Sequence, residues 1–271
     1  MHKPFLILFL LLISCSKSFA SDNYPAGARS IALSDAFVSI TDTWSTFHNQ
    51  ATLASLESFS AGVFYESRFL VDELSLTAGS LGFPINAGTF GFSFYQFGEG
   101  TFKEQKVALS FSKRLSEKIN AGIQLDYFSS RFPENENAKG FATFECGVSF
   151  QITEYFALGA HVFNPVKNGI EMPHGKHKMP AIYRIGGHYQ FSDMVLISTE
   201  AQKTTGYKVV MKTGLEFSPL KNLAFRFGIS GRPVQCTAGI GYSFGKITTD
   251  IAFSYHNNLG FSPSVSLQFN L

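Results

Sequence analysis

The chain has 271 residues, 45% of them hydrophobic and only 15% charged, with 30 Phe, 24 Gly and a single Trp. That charge content is well short of the ~25% of an ordinary soluble domain, while a mean hydropathy near zero is too low for a bundle of membrane helices. A formal net charge of +2 supplies no broad basic field, which argues against a nucleic acid partner.

Residues 1–20, MHKPFLILFLLLISCSKSFA, open with a short basic start. An apolar run from Phe5 to Ile13 follows, too brief to span a bilayer. Ser18-Phe19-Ala20 supplies the small-x-small pattern of a cleaved secretory signal. A competing reading takes Leu12-Ile13-Ser14-Cys15 as a lipoprotein site with a lipidated cysteine. Either way the mature protein is expected outside the cytoplasm. Beyond Cys15 only Cys146 and Cys236 remain, which is no disulfide framework; both read as small wall residues.

Residues 21–55 show neither helix nor strand periodicity. From Leu56 to Leu271 one unit recurs, in which about ten residues alternate apolar with small or polar and a turn cluster follows. TFGFSFYQF sets Phe90, Phe92 and Phe94 against Gly91, Ser93 and Tyr95, and KINAGIQLDYF sets Ile119, Ala121, Ile123 and Leu125 against Asn120, Gly122, Gln124 and Asp126. Fourteen such segments are expected, starting near Leu56, Leu74, Thr89, Val107, Ile119, Gly140, Tyr155, Ala181, Val195, Tyr207, Leu223, Val234, Ile247 and Pro263. Alternate connections are tight, as at LSEK and ITEY. The others, such as FPENENAKG and NPVKNGIEMPHGKHKMP, are longer and more polar. That asymmetry is the habit of outer-membrane barrels, with short periplasmic turns and long outside loops. A soluble β-sandwich or propeller would need an apolar second face, whereas here it is Gly, Ser, Thr, Gln and charge. The expected architecture is all-β: a single 14-stranded antiparallel transmembrane β-barrel over 56–271 in the outer membrane of a Gram-negative cell.

Alternation assigns Asp126, Glu145, Arg184, Glu200, Lys208, Lys212, Glu216, Arg226 and Asp250 to the lumen, where intramembrane charges pair with one another. They read as a selectivity lining, a docking network for the N-terminal segment, or a salt-bridge lattice that holds the barrel's shape; Glu200 with Lys208 and Lys212, and Glu216 with Arg226, fall on neighbouring strands. His174 and His177 lie in the longest loop with Glu171 nearby, but without a third His, a Cys or an Asp they do not complete a metal site. His161 and His188 are expected toward the lumen. No serine and acid stand at a triad spacing, so neither a metal nor a cofactor nor an enzymatic activity is expected.

The segment PAGARSIALSDAFVSITDTWSTFHNQATLASL carries a family resemblance. Gly27, Ala28 and Arg29, then Ala36, Phe37 and Val38, then Asp42, and finally Asn49, Gln50, Ala51, Leu53 and Ala54 resemble the N-terminal signature of FadL-type outer-membrane barrels, in particular the PorV/PorQ branch of Bacteroidetes. Gln50 departs from the usual proline, and Ser34-Asp35 replaces common glycines. The resemblance implies a hatch over 21–55 folded into the periplasmic end of the barrel, with Arg29, Asp42, Asn49, Gln50 and Ala51 as its docking residues; a loose periplasmic tail is the plainer reading. For function it implies a non-enzymatic accessory of type IX secretion or surface attachment, partnered by secreted proteins or secretion components. The alternative is a FadL-like passive channel for small hydrophobic molecules. Short, mostly polar loops favour the accessory.

Overall fold

The computed structural model describes residues 23–100, 102–132, 135–172, 175–231 and 233–271. The expected signal sequence with Cys15, residues 21–22 and His174 lie outside them.

Alternating apolar and small residues give strands, and the turn clusters set their order: β1 (Ser60–Ser67), β2 (Ser75–Ile85), β3 (Gly88–Phe97), β4 (Lys103–Ser116), β5 (Ile119–Phe132), β6 (Asn135–Gln151) and β7 (Phe156–Phe163). A small hairpin, β8 (Gly169–Met172) and β9 (Gly175–Lys178), interrupts the series. It continues as β10 (Ile182–Ser192), β11 (Val195–Thr204), β12 (Val210–Leu220), β13 (Leu223–Ser230), β14 (Gln235–Phe244), β15 (Ile247–His256) and β16 (Gly260–Asn270). Leaving aside β8 and β9, the strands pair antiparallel with their sequence neighbours and β1 pairs with β16, closing a fourteen-stranded barrel. The expected starts fall within a few residues of the observed ones. The largest slip is at β6, which begins at Asn135, five residues before Gly140.

The barrel's outside is apolar. Val63, Leu81, Phe92, Leu125, Ile185 and Phe227 stand exposed on it. Tyr155, Tyr189 and Tyr242 mark the end with the tight turns, and Tyr65, Tyr127 and Tyr255 the end with the loops. Apolar walls between two aromatic girdles match a bilayer. No helix among the described residues is long and apolar enough to cross a membrane; the strands do so.

The inside is filled from the N-terminus. Residues 23–55 fold within the lumen as a helical turn α1 (Ala28–Ala32), a second turn α2 (Ser45–His48) and a 3-10 turn over Gln50–Ser55. Trp44, Phe37, Phe47 and Leu53 are fully buried there. Gly27 adopts φ 113°, and a Cβ on it would fall 2.5 Å from the Trp44 ring, so the chain needs glycine at that point for two reasons.

The strands meet this segment with inward-facing glycines. Cβ atoms on Gly62, Gly122, Gly159, Gly214 and Gly228 would lie within 2.8 Å of Trp44, Ala51, Val38, Leu33 and Ser34. Opposed pairs carry this contact from strand to strand, as Gly122 with Gly147 across β5 and β6, Gly159 with Gly186 across β7 and β10, and Gly214 with Gly228 across β12 and β13. The backbone of the segment therefore packs directly on the backbone of the wall.

Candidate functional site

Three wall carboxylates hold three different parts of the N-terminal segment. Glu216, on β12, accepts two hydrogen bonds from Arg29, from Nε and Nη2, both at 2.9 Å. The fork geometry of guanidinium and carboxylate makes this the strong form of an ion pair. Arg226 of β13 bonds the same carboxylate at 2.5 Å and reaches Asp250 of β15 at 2.6 Å, and Gln268 donates to Asp250 at 3.2 Å. Asp42, from the segment, lies 3.6 Å from Arg29. Burial pushes its carboxyl up to about 6 against the pull of Arg29.

Glu200, on β11, accepts from the backbone N–H groups of Phe37 and Val38 at 3.1 and 3.0 Å. Lys212 of β12 sits 3.3 Å from it and Arg184 of β10 4.0 Å. Arg184 also donates from Nη1 to the Phe47 carbonyl at 3.3 Å. Beneath it His48 is fully enclosed. Burial and the nearby Arg184 hold its imidazole neutral, down to about 3, with Nε2 3.2 Å from the Ala26 carbonyl.

Glu145, on β6, is the centre of the third cluster. Gln50 donates to it at 2.8 Å, His161 Nε2 stands at 2.8 Å, Lys106 at 3.1 Å and Gln124 at 3.2 Å. Asp126 accepts from Gln124 at 2.9 Å. Lys106 also donates to Asn23 at 2.9 Å and lies within 6 Å of the Phe47, Tyr95 and Phe128 rings. A wholly buried ammonium is tolerable in this place because it meets carboxylates, an amide and ring faces together. Gln50, which departs from the proline of the FadL-type signature, thus makes a wall bond that proline could not.

Of the residues expected in the lumen, Asp126, Glu145, Arg184, Glu200, Lys212, Glu216, Arg226 and Asp250 are buried there and lie in these clusters. Lys208 is the exception. The strand begins at Val210 rather than near Tyr207, so Lys208 falls in the connection before β12, exposed and outside any ion pair in this network. Conversely, Lys106 was not among the charges expected in the lumen, yet it is fully buried there. Extending the alternation of β4 three residues before the expected start at Val107 would have put it inward, with Glu104. Among the segment's residues Asn49 donates to the carbonyls of Val38 and Val148, at 2.7 and 3.1 Å, and accepts from Ala51 N–H. His188 stands 2.9 Å from Ser39. Cys146 and Cys236 are free thiols. No group of three His, Cys, Asp or Glu able to hold a metal occurs among the described residues.

Above the segment, toward the loops, the lumen has two unlike halves. Over β2 to β7 it is a packed aromatic core. Tyr24 stacks on Phe97 at 4.3 Å and meets Tyr95 edge-on at 5.5 Å, while Phe128 stacks on Phe141 at 5.0 Å. Ile170 and Met179 of the long connection before β10 close it from above. Over β10 to β16 there is instead a cavity of about 780 Å³ whose wall mixes charged and polar side chains, such as Asp35, Arg184 and Gln202, with apolar ones such as Ile31 and Val210. A loop-side cavity of that size was not expected from such short loops.

A closed antiparallel barrel with an apolar skin, aromatic girdles and a charged, filled lumen is an outer-membrane β-barrel. No protein family and no curated protein matches the sequence. Solved structures do match its fold. The toluene transporter TodX of Pseudomonas putida aligns with TM-score 0.70 and 14% identity over 92% of this chain and 99% of its own. The Ralstonia pickettii toluene transporter TbuX gives TM-score 0.69 and 13% identity over 90% and 98%, and a Pseudomonas aeruginosa FadL homologue 0.68 and 12% over 91% and 99%. The fold is therefore that of the FadL-like barrels. The finer PorV/PorQ assignment rests on the N-terminal motif alone, and the type IX secretion role expected with it gains nothing from these structures.

Proposed function

We propose that the protein is a passive outer-membrane channel for small hydrophobic molecules, closed at rest by its N-terminal segment. The observation that carries this reading is the aromatic half of the lumen. Tyr24, at the leading end of the segment, fills a slot between Phe97, Tyr95 and the Arg68 guanidinium, which lies 4.6 Å over its ring. An aromatic solute entering from the loops would find the same ring faces if Tyr24 moved aside, with offset or edge-on contacts worth ~0.5–1.5 kcal/mol each beyond burial. The structural neighbours described as toluene transporters support the same solute class, and they favour it over the accessory role that loop length suggested. The three carboxylate anchors make the closed state the resting one.

Flux through liposomes holding the folded mature protein tests the proposal, with toluene and a polar sugar as tracers. Toluene should pass and the sugar should not. Tyr24→Ala should raise toluene flux several-fold, and removal of residues 23–55 should admit the sugar as well. A barrel that passes neither tracer, whether intact or with Tyr24→Ala, would reject the channel and leave the non-conducting accessory as the better reading.

A further inference from the structure

The polar half of the lumen calls for a different ligand from the aromatic half. We propose that the loop-side cavity over β10 to β16 binds a small hydroxylated organic anion, of the kind represented by a sugar acid. Its volume of about 780 Å³ lies inside the ~300–1,000 Å³ range of small-molecule sites, and its mouth is rimmed by the connections after β1, β11 and β13. The inference goes beyond the hydrophobic-channel reading and does not depend on it.

Charge is the first argument. Among the groups lining the cavity, Glu66 and Arg68 satisfy each other at 2.9 Å. That leaves Arg184, Lys212 and Lys208 facing one lining carboxylate, Asp35. Glu200, on the lumen face of β11 and outside the cavity lining, is shared among two backbone N–H groups, Lys212 and Arg184. One carboxylate divided four ways leaves donors over on both cations. Arg184 is only 5% exposed, yet its Nε has no hydrogen-bond partner, and Lys212 uses its ammonium on Glu200 and the Asp35 carbonyl alone, at 3.3 Å each. A guanidinium with five N–H groups and an ammonium with three, buried and under-bonded, favour an incoming carboxylate.

Asp35 supplies the second argument, and it narrows the class. Ser34 and Asp35 both adopt left-handed backbone, φ 52° and 56°, a conformation that costs a non-glycine residue energy and is kept where the surroundings enforce it. It brings Asp35 to the cavity, where its Oδ1 is buried without a partner. An orphaned carboxylate oxygen accepts and cannot donate, so the ligand must bring a donor as well as its own negative charge. A hydroxyl adjacent to a carboxylate does so. An alkyl acid does not, and it would also lie against the amides of Gln202 and Gln235 with nothing to offer them.

Equilibrium dialysis of the detergent-solubilised, folded full-length mature protein against labelled gluconate tests this. Sorbitol (hydroxyls without charge) and hexanoate (charge without hydroxyls) serve as competitors. Gluconate should bind saturably, and each competitor should displace it at least about tenfold more weakly than unlabelled gluconate does, since each lacks one half of the recognition. Lys212→Gln should abolish binding. Lys208→Ala, in an exposed connection where the fold is not at stake, should weaken it several-fold as loss of a rim charge does. Hexanoate binding as tightly as gluconate would overturn the proposal in favour of an alkyl-acid site. Equal binding of sorbitol would overturn the role of the cations, and no saturable gluconate binding to protein that is folded by its gel mobility would overturn the site altogether. Toluene flux is unaffected by any of these results.

Discussion

Asn49 binds in three directions at once. Its amide nitrogen donates to Val38 O inside the segment and to Val148 O on β6, while its oxygen caps the 3-10 turn through Ala51 N–H. The wall makes room for it only because residue 147 is glycine; a Cβ there would fall 1.9 Å from the Asn49 side-chain oxygen. Asn49→Ala should therefore destabilise the docked segment by about 2–3 kcal/mol, because two buried carbonyls and one N–H lose their partner. Gly147→Ala should cost a comparable amount by pushing Asn49 off its seat. The double variant should cost clearly less than the sum, since the new methyl then occupies the space the amide vacated. Urea titration followed by Trp44 fluorescence checks this, as the single Trp is buried within the segment; strict additivity would mean that the two residues do not share one site. This residue was legible in the sequence only through the family motif. No periodicity marks it, because a segment that fills a lumen follows the shape of the wall and not a repeat of its own.

At the scale of the element, period-two alternation was enough to place fourteen strands and eight of the nine expected lumen charges, because membrane and lumen enforce opposite chemistry on successive residues. It failed where strands run beyond the bilayer. β4, β5 and β6 extend to 14, 14 and 17 residues, and there the outer face no longer needs to be apolar. Lys106 was missed at one such end, and Lys208 lies in a connection at the cavity rim because its strand starts later than its pattern. The β8–β9 hairpin was also hidden, being too short for any period to show. The inward glycines stand on the small-residue face of the alternation, but nothing in the sequence says what approaches them. Gly214→Ala would set a methyl 2.7 Å from Leu33 Cβ, and on the opposing strand Gly228→Ala would set one 2.6 Å from Ser34 N. Neither position faces lipid, so the barrel should still form. Each should loosen the segment and raise leakage of a polar tracer several-fold in liposomes. Unchanged leakage in both would show that the segment yields without leaving, and that the glycines are not what seals the lumen.

For the whole molecule, the question is what would release a segment held at Glu145, Glu200 and Glu216. The third anchor faces a cavity of about 390 Å³ at the tight-turn end, and Asp42 is its titrating member. In the docked state its carboxyl is raised by burial to about 6, with Arg29 and Arg226 pulling it down and Asp250 pushing it up. In a released segment it returns to the ordinary value near ~3.9. Docking therefore keeps a proton that release gives up, so its contribution to stability is fully present below the ordinary carboxylate range and is lost as pH rises through about 6. Leakage of a polar tracer should then be lower at pH 5 than at pH 7.5. Asp42→Asn, which cannot ionise, should hold the low value across that range, while Arg29→Gln should leak at both ends because the Glu216 anchor is lost with it. If wild-type leakage is flat, or falls as pH rises, the Asp42 carboxyl is already ionised when docked, and its ion pair with Arg29 outweighs its burial.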